Sequence, residues 1–152
     1  MDRNLSRLFR YKDGKMLNHY TSANSKLPKG NVYEIYFDST RKGWVCTENG
    51  MCIWDLLPKV KSGYLSGGFI HKEKIRTVFE DSAHQLYFLP DKGPMYISDL
   101  SMNHFRHLQP NTLLEGKDCM SMIEDDEGWL WIGTSNGLYR YDKKDTFILY
   151  HS

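Results

Sequence analysis

The chain has no long apolar run, no surplus of one charge, and too few cysteines to build on. No stretch approaches the roughly 18 consecutive apolar residues of a membrane-spanning helix. Lys and Arg number 20 against 19 Asp and Glu, a formal net charge of +1. That balance gives no electrostatic reason to expect nucleic acid or an anionic membrane surface as a partner. The 3 cysteines are Cys46, Cys52 and Cys119, an odd count that does not make a complete disulfide framework. Cys46 and Cys52 fall on neighbouring predicted strands and could lie diagonally across a hairpin; buried free thiols are the plainer reading. Helical periodicity is missing too, and Gly or Pro interrupts most candidate segments. The opening residues, MDRNLSRLFRYKDG, are charged throughout and lack a signal peptide's apolar core.

What the chain does have is aromatic residues and a repeat. Aromatics make up 14% of 152 residues, with Tyr (10) ahead of Phe (7), a composition that favours strands. Three segments align without a gap: VYEIYFDSTRKGWVCTENGM from Val32, IRTVFEDSAHQLYFLPDKGP from Ile75, and CMSMIEDDEGWLWIGTSNGL from Cys119. Asp38, Asp81 and Asp125 coincide, which sets a period of about 43 residues. An aromatic follows six positions later (Trp44, Tyr87, Trp131), and a glycine six after that (Gly50, Gly93, Gly137). Thr47, Pro90 and Thr134 stand between them.

Each unit reads as four strands. An apolar first strand ends at the Asp, which with the polar residues after it forms a tight turn. The second strand carries the aromatic. Asn49-Gly50 and Asn136-Gly137 predict hairpins that need positive φ. MCIWD, PMYIS and LYRYD supply third strands; GYLSGGF, NHFRHL and TFILYH supply weaker fourth strands. Four antiparallel strands per unit of this length match a β-propeller blade. The start repeats the end: Leu8-Phe9-Arg10-Tyr11 resembles Leu138-Tyr139-Arg140-Tyr141. The expected fold is therefore all-β, a β-propeller fragment of about three and a half four-stranded antiparallel blades. Residues 4–22 form a partial blade with its last two strands, and 31–70, 74–109 and 118–151 form whole ones. An open arc would leave apolar faces and strand edges bare, so the expected partners are the remaining blades of a larger propeller or another copy of the chain.

The third unit resembles the two-component regulator propeller repeat, through Glu124, Asp125, Gly128, Leu130 to Thr134, Gly137, Leu138 and Tyr139 to Asp142. The first unit fits less closely, with Cys46 in place of the usual glycine, and the second departs at Tyr87 and Leu89-Pro90. The resemblance implies a ligand-sensing segment of an extracytoplasmic, periplasmic β-propeller, as in hybrid two-component sensors that respond to carbohydrate. It implies a non-catalytic role in binding and signal transduction, with an oligosaccharide as the possible ligand and no direct membrane contact. The alternatives are an interaction or self-assembling scaffold and a propeller-type lyase or polysaccharide-degrading protein.

Nothing calls for a cofactor or a metal. His104 and His107 point to opposite faces of a strand and cannot easily share an ion. The run Glu124-Asp125-Asp126-Glu127 lacks the spacing of a cation loop, and no nucleophile elbow is present. The recurring Asp38, Asp81, Asp125, Trp44, Tyr87, Trp131, Gly50, Gly93 and Gly137 read as structural. Candidate ligand contacts come from positions where the units differ. Trp129 stands where the sister units carry Lys42 and Gln85. His84 and Gln85 replace a Gly-containing turn, Lys92 lies in a modified second hairpin, and Tyr64 and His71 lie in a longer Gly-rich segment.

Overall fold

The computed structural model describes residues 6–25, 27–55, 73–92, 94–102, 104–108, 114, 118–144 and 146–150. The strands are β1 (Arg7–Lys12), β2 (Lys15–Thr21), β3 (Val32–Phe37), β4 (Lys42–Thr47), β5 (Gly50–Asp55), β6 (Ile75–Glu80), β7 (Gln85–Pro90), β8 (Tyr96–Asp99), β9 (Phe105–His107), β10 (Cys119–Glu124), β11 (Leu130–Thr134), β12 (Gly137–Tyr141) and β13 (Phe147–Tyr150). They form four meandering sheets in chain order: β1-β2, β3-β4-β5, β6-β7-β8-β9 and β10-β11-β12-β13. The fold is all-β, and its sheets are antiparallel blades of the propeller kind. The expected fourth strand at GYLSGGF, together with Gly93, lies outside the described residues.

The chain forms two compact units, Met1–Ile75 and Arg76–Ser152. In the first, Leu8, Leu27 and Val45 are buried together, with Tyr20, Val32 and Cys52 packed against them. One face of the β1-β2 hairpin thus meets one face of β3-β4-β5. In the second, Tyr87, Leu89, Met95, Ile97 and Leu108 of one blade bury against Cys119, Leu130, Ile132, Tyr139 and Tyr141 of the next, with Leu114 among them. Strand alternation explains the pattern. Leu130 and Ile132 turn into this core, and Trp131 belongs to the other face, opposite Ile123 and Arg140 in the ladder.

The turn between the first two strands is built identically three times. In the first whole blade, Asp38 Oδ1 accepts the backbone N–H groups of Thr40 (2.9 Å) and Lys42 (2.9 Å), and Arg41 donates to the Asp38 carbonyl (2.8 Å). Asp81 does the same with Ala83 (3.0 Å), Gln85 (2.8 Å) and His84 (2.9 Å). Asp125 does so with Glu127 (3.0 Å), Trp129 (2.9 Å) and Gly128 (2.9 Å). The residue third after each Asp has positive φ: Arg41 (67°), His84 (62°) and Gly128 (83°). Only the last is glycine. His84 therefore keeps the turn of the other blades, contrary to the expectation that it marks a different one; an L-residue there costs of order 1 kcal/mol.

The remaining carboxylate oxygen reaches across to the recurring aromatic. Asp38 Oδ2 accepts the Trp44 indole N–H (3.0 Å), Asp81 Oδ2 the Tyr87 hydroxyl (3.0 Å), and Asp125 Oδ2 the Trp131 indole N–H (2.6 Å). Trp44 and Tyr87 are fully buried, and Asp38 and Asp81 are buried beside them. This bond accounts for the six-residue spacing, which puts the aromatic opposite the residue two before the Asp, on the face of the sheet that the Asp side chain shares. Burial pushes the Tyr87 hydroxyl up, and the Asp81 carboxylate beside it adds to the rise.

The second hairpins differ slightly from expectation. Glu48-Asn49 and Ser135-Asn136 form the turns, and Gly50 and Gly137 open the next strand with φ of 108° and 143°. The glycine thus serves as the residue after the turn, paired with the threonine before it, at a positive φ that favours glycine. Thr47 Oγ1 donates to the Gly50 carbonyl (2.7 Å) and Thr134 Oγ1 to that of Gly137 (2.9 Å), which gives the recurring threonine its role. Val45 pairs with Cys52 and Cys46 with Met51, so the two thiols point to opposite faces. All three cysteines are free, and burial raises Cys52 and Cys119 to about 11.

Tyr87→Phe keeps the ring and removes the donor, leaving the buried Asp81 Oδ2 with the Lys143 ammonium as its remaining side-chain partner. It is expected to cost about 1.5–3 kcal/mol in urea unfolding, with Tyr87→Trp retaining more of the stability. Equal stability of Tyr87→Phe and the parent would contradict a role for this bond.

Candidate functional site

In these meanders the turn after a first strand and the turn after a third strand fall at one end of the blade, and the turn after a second strand at the other. The Asp turns of Asp81 and Asp125 and the β12-β13 turn therefore share an end of their blades. There Asp142 repeats the device a fourth time, its Oδ1 accepting from the backbone of Lys144 (2.8 Å) and Thr146 (3.0 Å).

This end carries interlocked charge. Lys143 Nζ lies 3.1 Å from Asp81 Oδ2 and also bonds Glu124 Oε1. Glu124 accepts from the Ser82 backbone N–H (2.6 Å) and hydroxyl (2.9 Å). Two blades are thereby tied at their rim: Asp81 and Ser82 of one, Glu124 and Lys143 of the other. Burial works to raise Glu124, but Lys143 and Ser82 outweigh it and hold it below the usual carboxylate range. Burial likewise works to lower Lys143, and its bonds to Glu124 and Asp81 leave it raised. Asp125 is held low chiefly by the Trp131 N–H, against a burial effect, with help from the Trp129 and Glu127 N–H groups and Arg140.

Trp129 is half-buried at the start of β11. Its ring lies under the Arg140 guanidinium, 3.8 Å from the ring centroid, and the same cation lies 5.4 Å from the Trp131 centroid. Arg140 Nη2 donates to Glu127 Oε2 at 2.9 Å. One face of the Trp129 ring is thus occupied by a cation–π contact. His84 is exposed, and its Nδ1 lies 2.6 Å from Glu80 Oε1. Gln85 Oε1 accepts from the Tyr87 hydroxyl at 3.2 Å. These three candidates share the Asp-turn end. Lys92 follows β7 and stands exposed at the opposite end of its blade, a strand length of roughly 20 Å away, so it does not join them. Tyr64 and His71 lie outside the described residues. His104 pairs with Asp99 (3.2 Å) and His107 packs on Tyr96 (4.6 Å between centroids), which separates them as alternation requires.

Sequence reasoning missed Arg140, Glu127 and Lys143. The signal for Arg140 was its place opposite Trp131 in a strand pair, legible only once the register is known. Lys143 sits in a turn that spacing alone does not aim at the neighbouring blade.

A repeated blade with an Asp-anchored aromatic defines a propeller-repeat protein. Residues 113–136, which include the first two strands of the third unit, match the family model described as Two component regulator propeller. Among solved structures, the chain is similar to the extracellular domain of BT4673 from B. thetaiotaomicron, described as a one component system (TM-score 0.74, 22% identity, 97% of this chain and 20% of that one). It is similar also to the extracellular domain of BT3049 from the same organism, described as a hybrid two component system (TM-score 0.71, 20% identity, 95% and 23%). Virginiamycin B lyase from Staphylococcus aureus shares the fold more distantly (TM-score 0.59, 15% identity, 80% and 41%). The chain thus spans about a fifth of the length of the two extracellular domains. No curated protein matches it.

The sign of the acid response is set by the lowered carboxylates. Glu124 and Asp125 contribute stability above their unfolded values of about 4, and that contribution is lost as pH falls through their lower folded values. Lys143 contributes below its unfolded value and loses it as pH rises through the raised one, so the test that isolates the carboxylates is in acid. Lys143→Met is expected to flatten the drop in urea midpoint between about pH 5 and pH 3. An unchanged drop would contradict the ionic tie.

Proposed function

We propose that the chain is a non-catalytic segment of an extracytoplasmic sensor propeller, binding carbohydrate and passing on a change of arrangement. The observation that carries this reading is the regulator propeller repeat at 113–136; the likeness to two sensor extracellular domains supports it. The Asp-turn end of the last blade offers fitting chemistry. Glu127 and Arg140 present hydrogen-bonding groups beside the Trp129 indole, the pairing of polar and apolar surface that a sugar ring presents in turn. A ligand signals only if it favours one arrangement over another, and blades tied by Lys143 supply a joint on which such a preference can act.

The lyase reading has one feature in its favour, the exposed His84 imidazole beside Glu80. Binding to a broad oligosaccharide panel, with product analysis of the same mixtures, separates the two. The sensor reading predicts binding without turnover and, for Trp129→Ala, an affinity loss of about tenfold or more. Turnover abolished by His84→Ala, or no binding to any panel member, would overturn it.

A further inference from the structure

The recurring indoles spend their N–H groups inside the blade, Trp44 on Asp38 and Trp131 on Asp125. The Trp129 indole N–H has no such partner among the described residues, and its ring is half-buried. The groups beside it have acceptor capacity to spare. The Glu127 side chain is 76% exposed and reaches Arg140 through Oε2. Its Oε1 makes no bond among the described residues. Asp126 is exposed, and its carboxylate has no partner among them either.

The cations at this end of the blade are committed by contrast. The Arg140 guanidinium stacks on Trp129 at 3.8 Å and bonds Glu127, and its charge also helps to hold Asp125 low. Lys143 is shared between Asp81 and Glu124. Lys144 alone is exposed, in the turn that Asp142 closes. The run from Glu124 to Glu127, together with Asp142, outnumbers these three cations, and Asp81 of the neighbouring blade draws on Lys143 as well. The surface around Trp129 is therefore negative, and its carboxylates lack donors rather than acceptors.

We infer that this end of the blade selects uncharged oligosaccharide over uronate or sulfated sugar, with Asp126 and Glu127 setting the choice. The inference rests on the sensor reading and on Trp129 as its contact. A sugar hydroxyl both donates and accepts, whereas an ionised carboxylate only accepts. Hydroxyls can therefore satisfy Glu127 Oε1 and Asp126 on one side and the Trp129 N–H on the other. A ligand carboxylate offers nothing to the two acidic side chains. It could bond Arg140 only by taking the place of Glu127, which exchanges one carboxylate for another on the same guanidinium. The displaced Glu127 would then stand unpaired beside Asp126 and the incoming anion, and like charges so placed repel. Discrimination thus comes from the repulsive element as much as from the attractive one.

Calorimetric titration of the full chain with paired oligosaccharides tests the selection. The two members of a pair differ only in oxidation of the primary hydroxyl: a neutral hexose oligosaccharide beside its carboxylate form, and an oligogalacturonate beside its carboxyl-reduced form. At low salt the neutral member is expected to bind about tenfold or more tightly than its partner, with the gap narrowing as salt screens the carboxylates. Asp126→Asn/Glu127→Gln is expected to remove most of that gap. Both changes fall on exposed side chains of a turn whose backbone bonds to Asp125 they leave in place, and circular dichroism checks the fold. Equal or tighter binding of the carboxylate member, lost in Trp129→Ala, would overturn the selection and leave the sensor reading standing. A gap unchanged in the double variant would overturn it too. Binding of neither member of any pair would overturn the sensor reading, and this inference with it.

Discussion

One carboxylate per blade organises the inner hairpin. An Asp at the end of the first strand uses one oxygen to close the turn through two backbone N–H groups, and the other to hold the aromatic of the second strand. The bond fixes three things together: the turn, the register of strands one and two, and the side on which the ring lies. With the ring placed, the residues flanking it must face the neighbouring blade. Leu130 and Ile132 enter the core because Trp131 is held on the far side. The Tyr at position 87 shows what the site requires. A phenol replaces an indole, and the Asp81 oxygen still receives a proton donor at 3.0 Å. The buried carboxylate fixes that requirement, since an unpaired one costs more than the bond itself contributes.

Much of this was legible in the sequence. The period, the four-strand unit and the turn role of Asp38, Asp81 and Asp125 come from local spacing, and local spacing is what one sequence displays. The Asp–aromatic bond was visible only as a spacing of six; its meaning depends on the pairing of two strands. The threonine caps at Thr47 and Thr134 were likewise seen as recurrence without a reason. At the candidate site less was legible. Trp129 stood out by its difference, yet the cation covering it comes from β12, and Lys143 acts on Asp81 of another blade. Contacts between strands and between blades depend on register and side-chain aim, which composition and spacing do not give.

The variable positions divide once the geometry is known. His84 and Gln85 look like departures from the repeat and prove to serve its turn, one at the positive-φ position and the other beside the Tyr87 hydroxyl. Trp129 remains distinctive, in company with Arg140 and Glu127.

The central claim is that each blade's aromatic donor is held by its Asp. The most direct measurement is hydrogen exchange of the tryptophan indole N–H groups by NMR, assigned through Trp44→Phe and Trp131→Phe. The account predicts that the Trp44 N–H exchanges slowly, at the rate of global unfolding, and that Asp38→Ala makes it exchange fast in a chain that still folds. Fast exchange of the Trp44 N–H in the unaltered protein, or slow exchange that survives Asp38→Ala, would contradict it.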